Sequence, residues 1–267
     1  MNTLRPLTFS LLDDLAFAAE RGRLTSRPAG FDIVAEQLGP FLEYTLLSRT
    51  GLLPQPDQTA WLALNGVTPM YSALTHRRHH WVCPSTRRVG IYRLYARPPA
   101  DDATWVEFCV AAQHAAAEEG FPKTIAAQLA GAMGEMESNI YEHSQAPQTG
   151  IAAFKAIPGT FEFVVADSGI GVLKSLQTCS EYANLTDHGE ALRLAQSDGV
   201  SRHGSGSGHG NGFRPLFTGL ANLNGALRFR SGDHALTIEG QNPCALPVTV
   251  GKKASIKGFL VSVLCRV

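Results

Sequence analysis

One predicted helix carries polar side chains at the spacing that a binding site would use. Glu135, Asn139 and His143 follow one another at intervals of four residues, so they share a stripe that begins near Gly131. An amide oxygen such as that of Asn139 can ligate Mg²⁺, which prefers oxygen ligands. A carboxylate such as that of Glu135 could orient or deprotonate an attacking water or hydroxyl group. For any single polar pair, a solvated helix face is the simpler interpretation.

A second candidate is an acidic turn that ends a predicted strand. The pattern Asp167-x-Gly169-x-Gly171 places a carboxylate at the edge of a sheet, followed by residues that can turn sharply. Asp167 could there accept a hydrogen bond from an exocyclic amine, such as that of adenine. Asp-Ser-Gly is also a common turn sequence, so a purely structural turn stays open.

A third candidate is a glycine-rich run that leads into a helical pattern starting at Phe213. Its glycines are Gly204, Gly206, Gly208, Gly210 and Gly212, with Asn211 among them. Unobstructed amide N–H groups before a helix N-terminus favour anions, so the run predicts a phosphate-binding lid. No Gly-Lys-Ser/Thr follows, which excludes a P-loop. A flexible linker is the alternative.

The elements that would hold these residues are predicted by hydrophobic periodicity. Helices are expected over 7–21, 31–48, 104–119, 124–144 and 187–196. Strands are expected over 88–96, 151–157, 160–166, 226–231, 234–239 and 259–267. Prolines interrupt 51–84, which receives no assignment. The helix at 124–144 repeats apolar residues every three or four positions, which predicts one buried face.

A boundary is predicted at 98–102, where Pro98-Pro99 precedes two aspartates. It separates an α-rich region, 1–100, from a domain over 101–267. Composition does not decide whether the first region senses a signal, dimerises or holds a partner. His76, His79, His80 and Cys83 have zinc-like spacing, but nothing completes a second cluster, so an exposed basic segment is the preferred interpretation.

The composition limits the classes of partner and compartment. The 267 residues are 44% hydrophobic and 17% charged, enough for one large domain or two modest ones. The 23 basic and 23 acidic residues cancel, which argues against nucleic acid and anionic membranes as partners. Five cysteines without a CxxC pair favour a reducing compartment. No signal peptide or long apolar run is present, so a cytoplasmic protein without a membrane span is expected.

Taken in order, the three motifs resemble the GHKL superfamily of ATP-binding domains, which have the Bergerat fold. This superfamily includes the DNA gyrase B-type, histidine-kinase and MutL-type ATPases and the anti-sigma-factor serine kinases. The resemblance covers roughly 104–267. It implies an α/β (α+β) two-layer sandwich, with a mixed, largely antiparallel sheet, helices on one face, and a nucleotide between helices and lid.

The resemblance also implies roles for the motif residues. Asn139 would ligate Mg²⁺, Asp167 would read the adenine amine, and His143 could help to position phosphate or water. Gly169 and Gly171 would line the base pocket. The run from Gly204 to Gly212, Asn211 included, would close over the phosphates of ATP.

Two functions follow from the resemblance. Glu135 resembles the base of the ATP-hydrolysing and serine-kinase branches, which implies slow hydrolysis or phosphoryl transfer to a serine of a protein substrate. Histidine autophosphorylation is not expected, because no phosphoacceptor histidine on a dimerisation helix precedes the domain. The alternative is a non-catalytic switch, in which ATP orders the lid at 199–212 and presents a surface to a partner. A homodimer stays open.

Overall fold

The structure is a computed structural model that describes residues 3–24, 31–76, 78–196, 225–239 and 248–267. Within these ranges the fold is mixed α/β, as predicted. The chain divides into two units, Met1–Arg77 and Arg78–Val267. In the part of the chain so described, no helix combines the length and the apolar character that crossing a membrane requires.

Among its described residues, the first unit alternates three short strands with three helices. Its elements are β1 (Thr3–Pro6), α1 (Phe9–Glu20), β2 (Phe31–Val34), α2 (Leu38–Arg49), β3 (Leu62–Ala63) and α3 (Thr68–Thr75). The strands form a parallel sheet in the order β1-β2-β3. The sequence predicted an α-rich region here and did not predict this sheet.

The prediction of one helix over 31–48 is wrong in its first part. Phe31–Val34 is the central strand of the parallel sheet, and α2 begins only at Leu38. The backbone of β2 pairs with β1 on one side and with β3 on the other. Next to β3, the Ile33 amide donates to the Trp61 carbonyl at 2.7 Å. A short apolar run does not distinguish a buried strand from a helix by periodicity, and here strand pairing decided the outcome.

The second unit contains one antiparallel sheet and four helices among its described residues. Its elements are β4 (His80–Val82), β5 (Val89–Arg93), α4 (Ala103–Glu118), α5 (Lys123–His143), β6 (Ile151–Ile157), β7 (Thr160–Ala166), α6 (Gly171–Leu176), α7 (His188–Gln196), β8 (Ala226–Glu239) and β9 (Val248–Arg266). The strand order is β4-β5-β6-β7-β9-β8, and every pairing is antiparallel.

The division between the units differs from the boundary predicted at 98–102. It lies at 77/78, because β5 pairs with β6 over five residues, from Val89↔Lys155 to Arg93↔Ile151. The strand before Pro98-Pro99 thus belongs to the sheet that follows those prolines. A Pro-Pro sequence marks a break in secondary structure, but strand pairing crosses the break.

Helices α4, α5 and α7 pack against one face of the sheet. The buried cluster alternates along the strands, as a single sheet face requires, and includes Ala152, Phe154 and Ala156 of β6, Phe161, Phe163 and Val165 of β7, and Val261, Val263 and Cys265 of β9. The apolar face predicted for α5 is confirmed, since Leu129, Met133, Met136 and Ile140 are buried in this cluster. Its polar stripe therefore lies at the margin of the core.

The last two strands are longer than predicted. The strands expected over 226–231 and 234–239 are one strand, β8, interrupted by a bulge, and β9 begins at Val248 rather than Phe259. Gly232 at the bulge has φ of +58°, a conformation that also occurs in tight turns. The bulge lies at the Gly232-Asp233 pair, where the sequence pattern divided the segment into two strands.

Candidate functional site

The polar stripe of α5 runs from solvent towards the core. Glu135 is exposed, whereas Asn139 and His143 are half-buried. The side-chain amide nitrogen of Asn139 is buried and has no hydrogen-bond partner among the described residues. Nε2 of His143 lies 3.8 Å from the Glu142 carboxylate. A ligand that accepts a hydrogen bond would satisfy this buried nitrogen of Asn139.

The turn after β7 holds a buried carboxyl group. Asp167 is 1% exposed, and its Oδ1 accepts a hydrogen bond from the Gly169 amide at 2.6 Å. Its Oδ2 is buried and has no partner among the described residues. Burial raises the pKa of Asp167 to about 7, and the Gly169 hydrogen bond only partly opposes this shift. A buried oxygen without a donor is costly, and a ligand N–H group would supply that donor.

Most of the main-chain amides of the same turn are already bonded to the protein. Five of its amides donate hydrogen bonds of 2.6 to 3.0 Å, namely those of Asp167, Ser168, Gly169, Ile170 and Val172. Their acceptors are the Phe259 carbonyl, Thr149 Oγ1, Asp167 Oδ1, the Ser144 carbonyl and Ser231 Oγ, in that order. These amides are engaged in holding the turn, whereas Asp167 Oδ2 has no partner among the described residues.

One hydrogen bond joins this turn to the end of the α5 stripe. Ser144 is the C-cap of α5 and directly follows His143. Its carbonyl oxygen accepts from the Ile170 amide at 2.9 Å, so the two predicted motifs meet here. On the far side of the turn, the Asp167 amide donates to the Phe259 carbonyl of β9.

The two glycines of the turn are required by packing against the protein. A Cβ at Gly169 would overlap the carbonyl oxygen of Ser144. Gly171 has φ of +76°, and a Cβ there would lie 2.7 Å from Ser231 Oγ. Their predicted role in lining a base pocket stays a prediction, because the sides where their side chains would stand face protein atoms.

Replacing Gly169 by alanine is expected to destabilise the protein by about 3 kcal/mol, the upper part of the usual cost of overpacking. The obstacle is the Ser144 main chain, which cannot move without displacing the end of α5. Gly131→Ala is the matched control, because a Cβ on that exposed helical glycine meets nothing within 4 Å. The control should stabilise by about 0.5–1 kcal/mol. Denaturant unfolding measures the change in the free energy of unfolding for both variants. Equal changes would contradict the conclusion that packing requires a glycine at position 169.

The raised pKa of Asp167 predicts how stability depends on pH. Its carboxyl group has an ordinary pKa of 3.8 and titrates near 7 in the folded protein, so the folded state holds the extra proton between these values. The associated stability is full below the lower value and is lost as the pH rises through 7. Relative to Asp167→Asn, the wild type should lose about 2 kcal/mol between pH 5.5 and pH 8. Unfolding both proteins by denaturant at several pH values measures this loss, and a constant difference would contradict the burial of the charge.

The glycine-rich run is the remaining motif predicted from the sequence. Gly204, Gly206, Gly208, Gly210, Asn211 and Gly212 all lie outside the described residues. The helix predicted at 187–196 is present: α7 ends at Gln196, and at its start the Glu190 amide donates to Asp187 Oδ1 at 2.6 Å, as in a helix N-cap. The phosphate-binding lid stays a prediction.

The described residues contain no cluster of three or more His, Cys, Asp or Glu side chains placed to hold a metal ion. Two of the histidines with zinc-like spacing pack against aromatic rings. The ring of His79 stacks on Tyr95 at 4.6 Å, and that of His80 lies edge-on to Phe108 at 6.3 Å. A Mg²⁺ ion held by one protein amide and by phosphates needs no such cluster.

Sequence reasoning missed the residues that hold the acidic turn. Ser144, Thr149, Ser231 and Gly258 contact it from three separate parts of the chain. Only Gly258 had a usable signal, since a single glycine inside a strand often marks a close backbone approach. It has φ of +71°, and a Cβ there would overlap the carbonyl oxygen and Oδ1 of Asp167.

Comparison of the chain with models of protein families and with curated proteins gives no match. The function proposed below therefore depends on the geometry of Asp167, Asn139 and Glu135 and on the resemblance of the three motifs.

Proposed function

We propose that the second unit is an Mg²⁺-ATP-binding domain of the GHKL class, with Asp167 as the group that reads adenine. The observation that carries this proposal is the buried Oδ2 of Asp167, which has no partner among the described residues. The turn around it uses its own amides to hold itself in place. The exocyclic amine of adenine supplies the N–H donor that this oxygen needs.

Asn139 would hold the Mg²⁺ ion, which when bound neutralises phosphate charge. The residue suits this role because it is half-buried on the same stripe as Glu135 and carries an amide oxygen, the kind of ligand that Mg²⁺ prefers. The amide oxygen would then face the ion.

Glu135 is the proposed general base. It lies one helical turn before Asn139 and is exposed, so an attacking water or serine hydroxyl can reach its carboxylate. Glu135 would accept the proton as the attacking oxygen bonds to the γ-phosphorus and the bond to the bridging oxygen breaks, leaving ADP. The acceptor is water in slow hydrolysis and a protein serine in the kinase reaction.

A second function is favoured by one feature of Glu135. No hydrogen bond or ion pair orients its side chain among the described residues. A carboxylate that is not oriented suits a non-catalytic switch, in which ATP binding changes a surface that a protein partner reads. This function shares the nucleotide site with the first and differs from it only in turnover.

The proposal includes a cytoplasmic location. The four cysteines among the described residues, Cys83, Cys109, Cys179 and Cys265, are free thiols, which suits a reducing compartment.

One experiment separates these functions. The purified protein is incubated with γ-labelled ATP, with Mg²⁺ or with a chelator, and with or without cell extract. Label released as phosphate indicates an ATPase, and label on an extract protein indicates a kinase. Mg²⁺-dependent binding without transfer indicates the switch. Failure to bind ATP at any concentration up to the millimolar range would refute the proposal.

A further inference from the structure

Ser231 lies in β8 at the edge of the bulge, far from the acidic turn in sequence but in contact with it. The side chain is 1% exposed, and its Oγ makes two hydrogen bonds. It accepts from the Val172 amide at 3.0 Å and donates to the Gly258 carbonyl at 2.8 Å. One hydroxyl group therefore connects α6 to β9.

These two bonds hold the segments on either side of Asp167. Val172 continues directly from the turn, in the first residues of α6. Gly258 is so close to Asp167 that a Cβ on it would overlap the Asp167 carbonyl oxygen and Oδ1. Phe259, the next residue, accepts the hydrogen bond from the Asp167 amide at 3.0 Å. Ser231 thus sets the distance between the start of α6 and the part of β9 that backs the carboxylate.

We propose that Ser231 is a positioning residue for Asp167, holding the carboxyl group so that Oδ2 alone faces the ligand. This inference rests on the proposed function, because it takes Asp167 as the group that binds the base. An alanine at 231 would leave the Val172 amide and the Gly258 carbonyl without their partner. The turn could then separate from β9, and water could reach the carboxyl group.

The test measures Asp167 directly in the ligand-free protein. Its side-chain carboxyl carbon is titrated by NMR in the wild type, in Ser231→Ala and in a control, Ser262→Ala. Ser262 is a buried serine on β9, opposite Arg228 in the same sheet. In Ser231→Ala the pKa of Asp167 should fall from about 7 towards its ordinary 3.8, since hydration favours the ionised form. In the control it should stay near 7.

The second measurement is ATP affinity at pH 8, which should fall about tenfold in Ser231→Ala and stay unchanged in Ser262→Ala. An Asp167 that titrates near 7 in a folded Ser231 variant would overturn the inference. Ser231→Cys, which keeps the side chain's shape and weakens both hydrogen bonds, gives the same titration if the alanine variant does not fold. If the wild-type protein does not bind ATP, the proposed function is refuted, but the titration still decides whether Ser231 positions Asp167.

Discussion

Asp167→Asn is expected to lower the affinity for ATP by about 100-fold or more at pH 8. The variant loses a charged acceptor and sets an amide N–H against the amine of adenine, and together these effects cost about 3–5 kcal/mol. The fold should survive, because the asparagine oxygen can still accept the Gly169 hydrogen bond that Oδ1 accepts now. Isothermal titration of ATP into the wild type and the variant measures the loss.

Inosine triphosphate is the comparison ligand, since it carries a keto oxygen where ATP carries the amine. An asparagine amide can donate to that oxygen, so the variant should lose far less affinity for it than for ATP. Asp101→Asn, on an exposed aspartate, is the matched control and should bind ATP as the wild type does. Equal losses for ATP and inosine triphosphate in Asp167→Asn would remove the base-reading role.

The charge state of Asp167 should also affect the ATP affinity of the wild type. The carboxyl group accepts from the amine through Oδ2 only when Oδ2 is unprotonated. Because burial raises its pKa to about 7, ATP affinity should weaken as the pH falls below that value. The Asp167→Asn variant should lack this dependence, which separates it from the titration of the phosphates.

Glu135→Gln is expected to lower turnover by about 100- to 10,000-fold while ATP affinity stays within a few fold of the wild type. The substitution keeps the side chain's shape and removes the proton acceptor. Because Glu135 is exposed, stability should change by less than about 0.5 kcal/mol. Release of γ-phosphate, and transfer to a protein acceptor if one is found, provides the measurement.

Glu107→Gln, an exposed glutamate of α4, is the matched control for the loss of one surface charge. Turnover in this control should equal that of the wild type. If Glu135→Gln releases phosphate at the wild-type rate, Glu135 is not the base, and the non-catalytic switch becomes the better function. If the variant also fails to bind ATP, its carboxylate contributes to the ground-state complex instead.

Local pattern predicted the middle of the second unit closely. The helices at 103–118 and 123–143 and the strands at 151–157 and 160–166 follow the predicted bounds within one residue. Each of these segments has a strong period or lies next to a clear turn such as Pro158-Gly159. Their backbone preference and their burial favour the same structure, so neighbours did not change it.

Prediction failed where strand pairing competed with local preference. Phe31–Val34 pairs in a parallel sheet, and the pair Gly232-Asp233 forms a bulge within one long strand rather than the division between two strands. The boundary between the units lies earlier in the chain than predicted, because β5, before the Pro-Pro sequence, pairs with β6, which follows it. In each case the deciding hydrogen bonds join residues far apart in the chain, which a window of neighbouring residues does not contain.

The candidate site divides along the same line. The stripe of Glu135 and Asn139 and the carboxylate of Asp167 were determined by the sequence alone, because helical spacing and an Asp-x-Gly-x-Gly turn are local properties. Only the tertiary structure decided that Asp167 is buried with one oxygen left for a donor. That outcome needs Ser144 from α5, Ser231 from β8 and Gly258 from β9 to enclose one turn. The burial of a group and the absence of a hydrogen-bond partner depend on the atoms around it, and here segments distant in the sequence supply those atoms.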